Sequence, residues 1–331
     1  MDEKRRFLLA GTAGAAASGL FLSKGSEAKS LRVKGSEHWT TKQADGEKVR
    51  LFMWRKRTLS APKGPLLFVH GSSVQSKPAF DLQVPGKPEY SVMDWFARLG
   101  YDTWCFDCEG YGRSDKSRPI NADVATGADD IAVVSHYIMK ATGEKLRLYG
   151  SSSGALRVAL YAQRFPQRIE RIALDALVWT GEGSPTLAER RKRLPQYKAT
   201  NRRPIDRDFV RSIFTRDGHG EAADPAVVEA FADAVLALDD SMPTGTYVDM
   251  TEKLPLIDPG ALSVATLIMR GQWDGIATFQ DVIDFFARLP NPDKQFAVLP
   301  GAHVSLRSRN WRTAYHLLDS FFSQPAPVYT G

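Results

Sequence analysis

Residues 148–156 read LYGSSSGAL. The stretch KLRLYGS before the central serine has the short apolar character of a buried strand. The stretch SGALRVALYAQRF after it has the spacing of a helix. A chain that turns so sharply from strand to helix leaves no room for side chains at the flanking positions, which Gly150 and Gly154 satisfy. The residue between them, Ser152, would be held in a strained backbone and exposed above the sheet. The bland alternative is a polar turn in which a serine caps the helix. Ser151 and Ser153 each lack glycine at both flanking distances. Ser153 is worth more for its backbone N–H, which opens the helix, and Ser151 for local support.

Working outward, the strand–helix rhythm continues on both sides. GPLLFVHG (64–71), YDTWCFD (101–107) and RIERIALDALV (168–178) read as strands, and residues 122–141 carry a helical period with Val124, Ile131, Val134 and Ile138 facing inward. Residues 37–57 form a hairpin pattern around the turn ADGE. The rhythm breaks near residue 181 and resumes near 262 with SVATLIMRG, TFQDVIDFFARL, KQFAVLPG and NWRTAYHLLDSFF. The prediction is an α/β fold with a mostly parallel, doubly wound sheet. Its core comprises residues 29–180 and 262–331, and a helical cap, 181–261, is inserted between strands.

A serine hydroxyl needs a base and a group that orients the base. Of the six histidines, His303 in VLPGAHVSL follows the last predicted strand at the same sheet edge as Ser152. His136 and His316 lie within helices, His38 in the hairpin and His219 in the cap. For the acid, Asp274 in RGQWDGIA ends the preceding strand and lies in a turn. Asp175, at the end of the strand after the serine, is the rival. The loop HGSS after the first buried strand offers close backbone approach at Gly71 and an oxyanion donor in the Ser72 N–H. The Ser153 N–H would be the second donor. His70 reads as structural.

These elements together resemble the α/β-hydrolase family. HGSS, DCEGYGRSD (107–115), GSSSG, GQWD and PGAH occur in the family's order over residues 37–323. The resemblance implies a catalytic triad of Ser152, Asp274 and His303, with no metal and no organic cofactor. It implies a serine hydrolase of the carboxylesterase type acting on a small or medium apolar ester. Lactonase, C–C hydrolase, amidase and cofactor-free perhydrolase chemistry could use the same triad. The family's dehalogenases and epoxide hydrolases carry aspartate where this chain has Ser152. A non-catalytic binding module would be expected to have lost part of the triad.

The N-terminus adds an expectation about location. Residues 1–28 have a charged start with Arg5–Arg6, an uncharged stretch and small residues near Ser26 and Ala28. They resemble a cleaved twin-arginine export signal, which would make the protein periplasmic or secreted. The uncharged stretch is too short and too rich in Gly and Ala for a spanning helix, so no integral membrane segment is expected in the mature chain. The two cysteines, Cys105 and Cys108, read as buried thiols rather than a zinc or redox pair. The net charge of +6 concentrates at 189–211, ERRKRLPQYKATNRRPIDRDFVR. Without aromatic platforms or a recognition motif it does not indicate nucleic acid. It reads as a solvated helical face, or as a lid that attracts anionic substrates or anionic lipid.

Overall fold

The computed structural model describes residues 32–329; the export-signal reading of residues 1–28 lies outside them. Ten strands form, β1 (Lys34–Ala44), β2 (Glu47–Arg57), β3 (Pro65–Val69), β4 (Asp102–Phe106), β5 (Leu146–Ser151), β6 (Ile169–Asp175), β7 (Arg202–Pro204), β8 (Ser241–Pro243), β9 (Ala265–Gly271) and β10 (Lys294–Leu299). Eight of them make one sheet in the order β1-β2-β4-β3-β5-β6-β9-β10. The hairpin β1–β2 and the β2–β4 pair are antiparallel, and every pair from β4 to β10 is parallel. Strands buried on both faces need continuous apolar runs; β3, β4 and β9 are buried along their whole length.

Helices cover the sheet as the apolar periods require. They are α1 (Ser76–Phe80), α2 (Val92–Arg98), α3 (Val124–Thr142) and α4 (Ser153–Arg164), then α5 (Pro185–Arg191), α6 (Leu194–Ala199), α7 (Arg207–Thr215), α8 (Pro225–Leu236) and α9 (Gly245–Val248), and finally α10 (Phe279–Ala287) and α11 (Trp311–Ser323). Val124, Ile131, Val134 and Ile138 all face the core from α3. Asp123 caps that helix by accepting from the Thr126 N–H, and Gly143 ends it with φ +76°.

The chain between β6 and β9 carries α5 to α9 and the two-stranded ribbon β7–β8. The ribbon is an addition to the helical cap expected from sequence. Three-residue strands are too short to show an alternating pattern. The cap is tied to the sheet edge that bears the loops. The Arg309 N–H donates to Ala222 O (2.7 Å), and the Thr186 N–H and Ser184 hydroxyl donate to Gly275 O (3.2 and 2.9 Å). Among the described residues no helix is long and apolar enough to cross a membrane.

Candidate active site

Strand β5 delivers Ser152 to the carboxyl edge of the sheet, where α/β folds place their sites. Its backbone has φ +58° and ψ −124°, a conformation that costs free energy and persists only when neighbours enforce it. They do so by close approach. A Cβ on Gly150 would lie 2.4 Å from Gly154 O, and one on Gly154 would lie 2.4 Å from Val69 O. The Ser152 N–H is held by Asp175 O at 2.8 Å. The Ser152 hydroxyl does not cap α4, so it is not spent on the structural task that the bland reading assigned to it.

His303 follows β10 and is buried. Its Nδ1 lies 2.9 and 3.0 Å from the two carboxylate oxygens of Asp274. The ring nitrogen left for another proton partner is Nε2. Asp274 also accepts the N–H groups of Ile276 (2.8 Å) and Ala277 (3.1 Å). Burial alone would raise the Asp274 pKa, but His303 and these two N–H groups outweigh it and hold the carboxyl below its ordinary value. Ser152 and His303 line one cavity, together with Gly71, Ser72, Ser73 and Ser151.

Asp175, the rival acid, is placed differently. It is fully buried and accepts from Tyr149 Oη (2.5 Å) and Ser305 Oγ (2.9 Å). Burial pushes its pKa up to about 7. It therefore supports the segment carrying His303 through Ser305, rather than the imidazole itself.

The two expected oxyanion donors are linked side chain to side chain, with Ser72 Oγ donating to Ser153 Oγ at 2.8 Å. Ser153 opens α4, so its N–H has no acceptor within the helix. Gly71 lets this loop approach the serine turn; a Cβ there would lie 3.2 Å from Ser151 O. His70 is fully buried, with Nε2 accepting the Cys108 N–H (3.1 Å) and Nδ1 against Gly71 O (2.8 Å). Burial and then Arg157 push its pKa down to about 3, so it is a neutral structural imidazole. His136 and His316 are exposed, His38 packs against Trp104 and Tyr137, and His219 stacks on Trp273.

Several residues of the cavity escaped the sequence reading. Arg190, Arg216 and Arg307 line it with Val74, Phe80 and Ile213. Tyr247, from α9 in the cap, is hydrogen-bonded to Ser73 in the loop after β3. The basic run 189–211 divides. Arg207 and Arg211 pair with Glu229, Asp233 and Asp208 on the exposed surface. Arg190 and Arg203 instead lie against the Tyr247 ring. Cys105 and Cys108 are free and buried.

A family model described as Serine aminopeptidase, S33 (Hydrolase_4) matches residues 87–304. No curated protein matches the sequence significantly. Among solved structures, an esterase from Exiguobacterium antarcticum is 16% identical, covers 87% of this chain and 100% of its own, and superposes with a TM-score of 0.64. A hydrolase from Pseudomonas aeruginosa is 17% identical, with 87% and 99% covered and a TM-score of 0.62. An enol-lactonase from Burkholderia xenovorans is 15% identical, with 86% and 100% covered and a TM-score of 0.61. At these identities the likeness is one of fold.

Proposed function

The chain belongs to the serine aminopeptidase S33 family of α/β hydrolases, and from this premise we propose that it is a serine hydrolase cleaving a small or medium carboxylic ester. The observation that carries the reading is the pairing of His303 Nδ1 with the Asp274 carboxylate (2.9 Å) beside the uncommitted hydroxyl of Ser152. Ser152 attacks the ester carbonyl while His303 Nε2 takes its proton. Asp274 holds the imidazole tautomer and stabilises the imidazolium that forms. The N–H groups of Ser72 and Ser153 receive the oxyanion. His303 returns the proton to the leaving alcohol, and a water activated by the same imidazole releases the acid. Apart from that water, each step uses groups of this chain.

The cavity walls favour an ester over an aminopeptidase substrate. A free amino terminus is a cation, and the fixed charges lining the cavity are the arginines Arg190, Arg216 and Arg307. Like charges in a partly dry site repel. Val74, Phe80, Ile213 and Val304 supply the apolar portion. Residues 1–28 support the further reading of an exported protein, which the mature N-terminal sequence would test. The nucleophile is tested with a fluorophosphonate probe and peptide mass mapping. The expected result is one adduct on the Ser152 peptide and none after Ser152→Ala. A Ser152→Ala protein that keeps full esterase activity would overturn the assignment.

A further inference from the structure

Three arginines line the cavity of Ser152, Arg190 and Arg216 from the cap and Arg307 from the loop after β10, and their surroundings differ from those of Arg207 and Arg211. Arg207 and Arg211 sit on the surface in a mesh with Glu229, Asp233 and Asp208. Among the described residues, Arg190, Arg216 and Arg307 have no carboxylate within ion-pair distance. Arg307 is 7% exposed, its one hydrogen bond runs to Ala79 O (2.8 Å), and its Nε is buried without a partner. The Arg216 Nε is likewise buried and unpartnered. Arg190, in the last turn of α5, lies with its guanidinium over the Tyr247 ring, 4.9 Å from the centroid.

Of the acids nearby, Glu189, Asp175 and Asp274 are already engaged. Glu189 bonds to Lys192 (2.6 Å). Asp175 accepts from Tyr149 and Ser305, and Asp274 is taken by His303. Asp217 accepts the His303 N–H through Oδ2 (3.3 Å), and its Oδ1, buried without a hydrogen-bond partner, forms no ion pair with the three arginines. Withdrawing guanidinium groups from water without counter-ions is costly. That cost is offset when an anion arrives, and forked N–H donors suit carboxylate and phosphate oxygens. Arg190 and Arg216 also line an adjoining groove of the cap with Arg193 and Arg203, so positive potential extends outward from the cavity.

From this lining we propose that the ester hydrolysed at Ser152 carries an anionic group, a carboxylate or a phosphate, which seats against Arg190, Arg216 and Arg307. The proposal rests on the hydrolase reading for its reaction and on the arginines for its substrate class. The anion is not the scissile group. It anchors the far end of the acyl or alcohol portion, while Val74, Phe80 and Ile213 receive the apolar stretch between. The groove with Arg193 and Arg203 draws such substrates in, an attraction that salt screens.

The test compares three activated esters of similar length. They are 4-nitrophenyl hydrogen glutarate, its neutral isostere 4-nitrophenyl 4-carbamoylbutyrate, and 4-nitrophenyl 4-phosphonobutyrate. We expect kcat/KM for at least one anionic ester to exceed that of the carbamoyl ester by about tenfold or more. The preference should shrink in about 0.5 M sodium chloride. It should collapse toward unity in the Arg190→Gln/Arg216→Gln double variant and persist in Arg207→Gln/Arg211→Gln, altered only on the outer surface. Whichever anionic ester leads identifies carboxylate or phosphate as the anchor.

Equal turnover of all three esters, or preference for the carbamoyl ester, overturns the anion site and leaves the hydrolase standing. If none is turned over, calorimetry on the Ser152→Ala protein decides. Binding of glutaramate but not of neutral glutaramide, lost in the arginine double variant, keeps the anion site while the hydrolase reading falls. Equal binding of the two, or none, overturns the anion site.

Discussion

A Cβ on Gly271 would lie 2.0 Å from the carbonyl oxygen of Ala302. That contact is where the end of β9 meets the loop after β10. With no side chain in the way, the Gln272 N–H reaches Leu299 O (2.8 Å) and the Trp273 N–H reaches Gly301 O (3.0 Å). The two loops are zipped backbone to backbone, so Asp274 and His303 face each other just beyond. Gly271→Ala must push the loops apart. The expected result is a fall in esterase kcat/KM of about 100-fold, with about 1–3 kcal/mol lost in urea denaturation. Unchanged kcat in a folded Gly271→Ala protein would show that this contact does not set the acid–imidazole geometry.

The two candidate acids separate by substitution. Asp274→Asn keeps the shape but removes the charge facing Nδ1 and permits the wrong imidazole tautomer, which lowers kcat by about 10⁴-fold. Asp175→Asn leaves the pair intact and alters only the support through Ser305, so a loss of about tenfold or less is expected. Steady-state kinetics on one ester decides between them, and the opposite ranking would reassign the acid.

Stability against pH should expose two buried groups of opposite sign. His70 titrates near 3 when folded and near 6.5 when unfolded. The unfolded chain binds the extra proton, so this contribution is complete above pH 6.5 and is lost as pH falls toward 3. Asp175 titrates near 7 folded against 3.8. Here the folded chain holds the extra proton, so the contribution is complete below pH 3.8 and is lost as pH rises through 7. Each slope is about 1.4 kcal/mol per pH unit, and between about pH 4 and 6.5 they oppose. Relative to the parent, His70→Gln should lose stability as pH rises through this window, and Asp175→Asn should gain it. Chemical denaturation at several pH values measures both, and parallel curves for parent and variants would contradict the assignments.

The thiols give a simple check on burial. Burial pushes the Cys105 thiol well above its ordinary pKa and Cys108 up to about 12, and both side chains are enclosed. Ellman's reagent should find no reactive thiol in the folded protein and two in denaturant. Rapid labelling of the native chain would show that β4 opens readily.

What could be read in advance followed from periodicity and from turns. The inner strands of the main sheet announce themselves by apolar runs, the largely exposed β1 by its hairpin turn, and Ser152 by glycines whose need is steric. His303 and Asp274 could be chosen because each ends a recognisable strand at one sheet edge. The arginines were less legible. Arg190 and Arg207 belong to the same charged run, and only the packing of the cap on the core turns one inward and leaves the other in water. Asp175 sits at a strand end much as Asp274 does, and its partner Ser305 is 130 positions away. Neither relationship is written in local pattern.

The bond between Tyr247 and Ser73 joins the inserted cap to the core. The phenol belongs to the cap, while Ser73 belongs to the loop after β3, next to Ser72, the proposed oxyanion donor. The loop keeps two further ties within the core, Ser72 Oγ to Ser153 Oγ (2.8 Å) and the Tyr111 hydroxyl to Ser72 O (3.1 Å), and the phenol adds a third from the cap. The wall behind the serine turn is thus shared between core and cap, and a change at Tyr247 reaches Ser73 directly and Ser72 only through its neighbour.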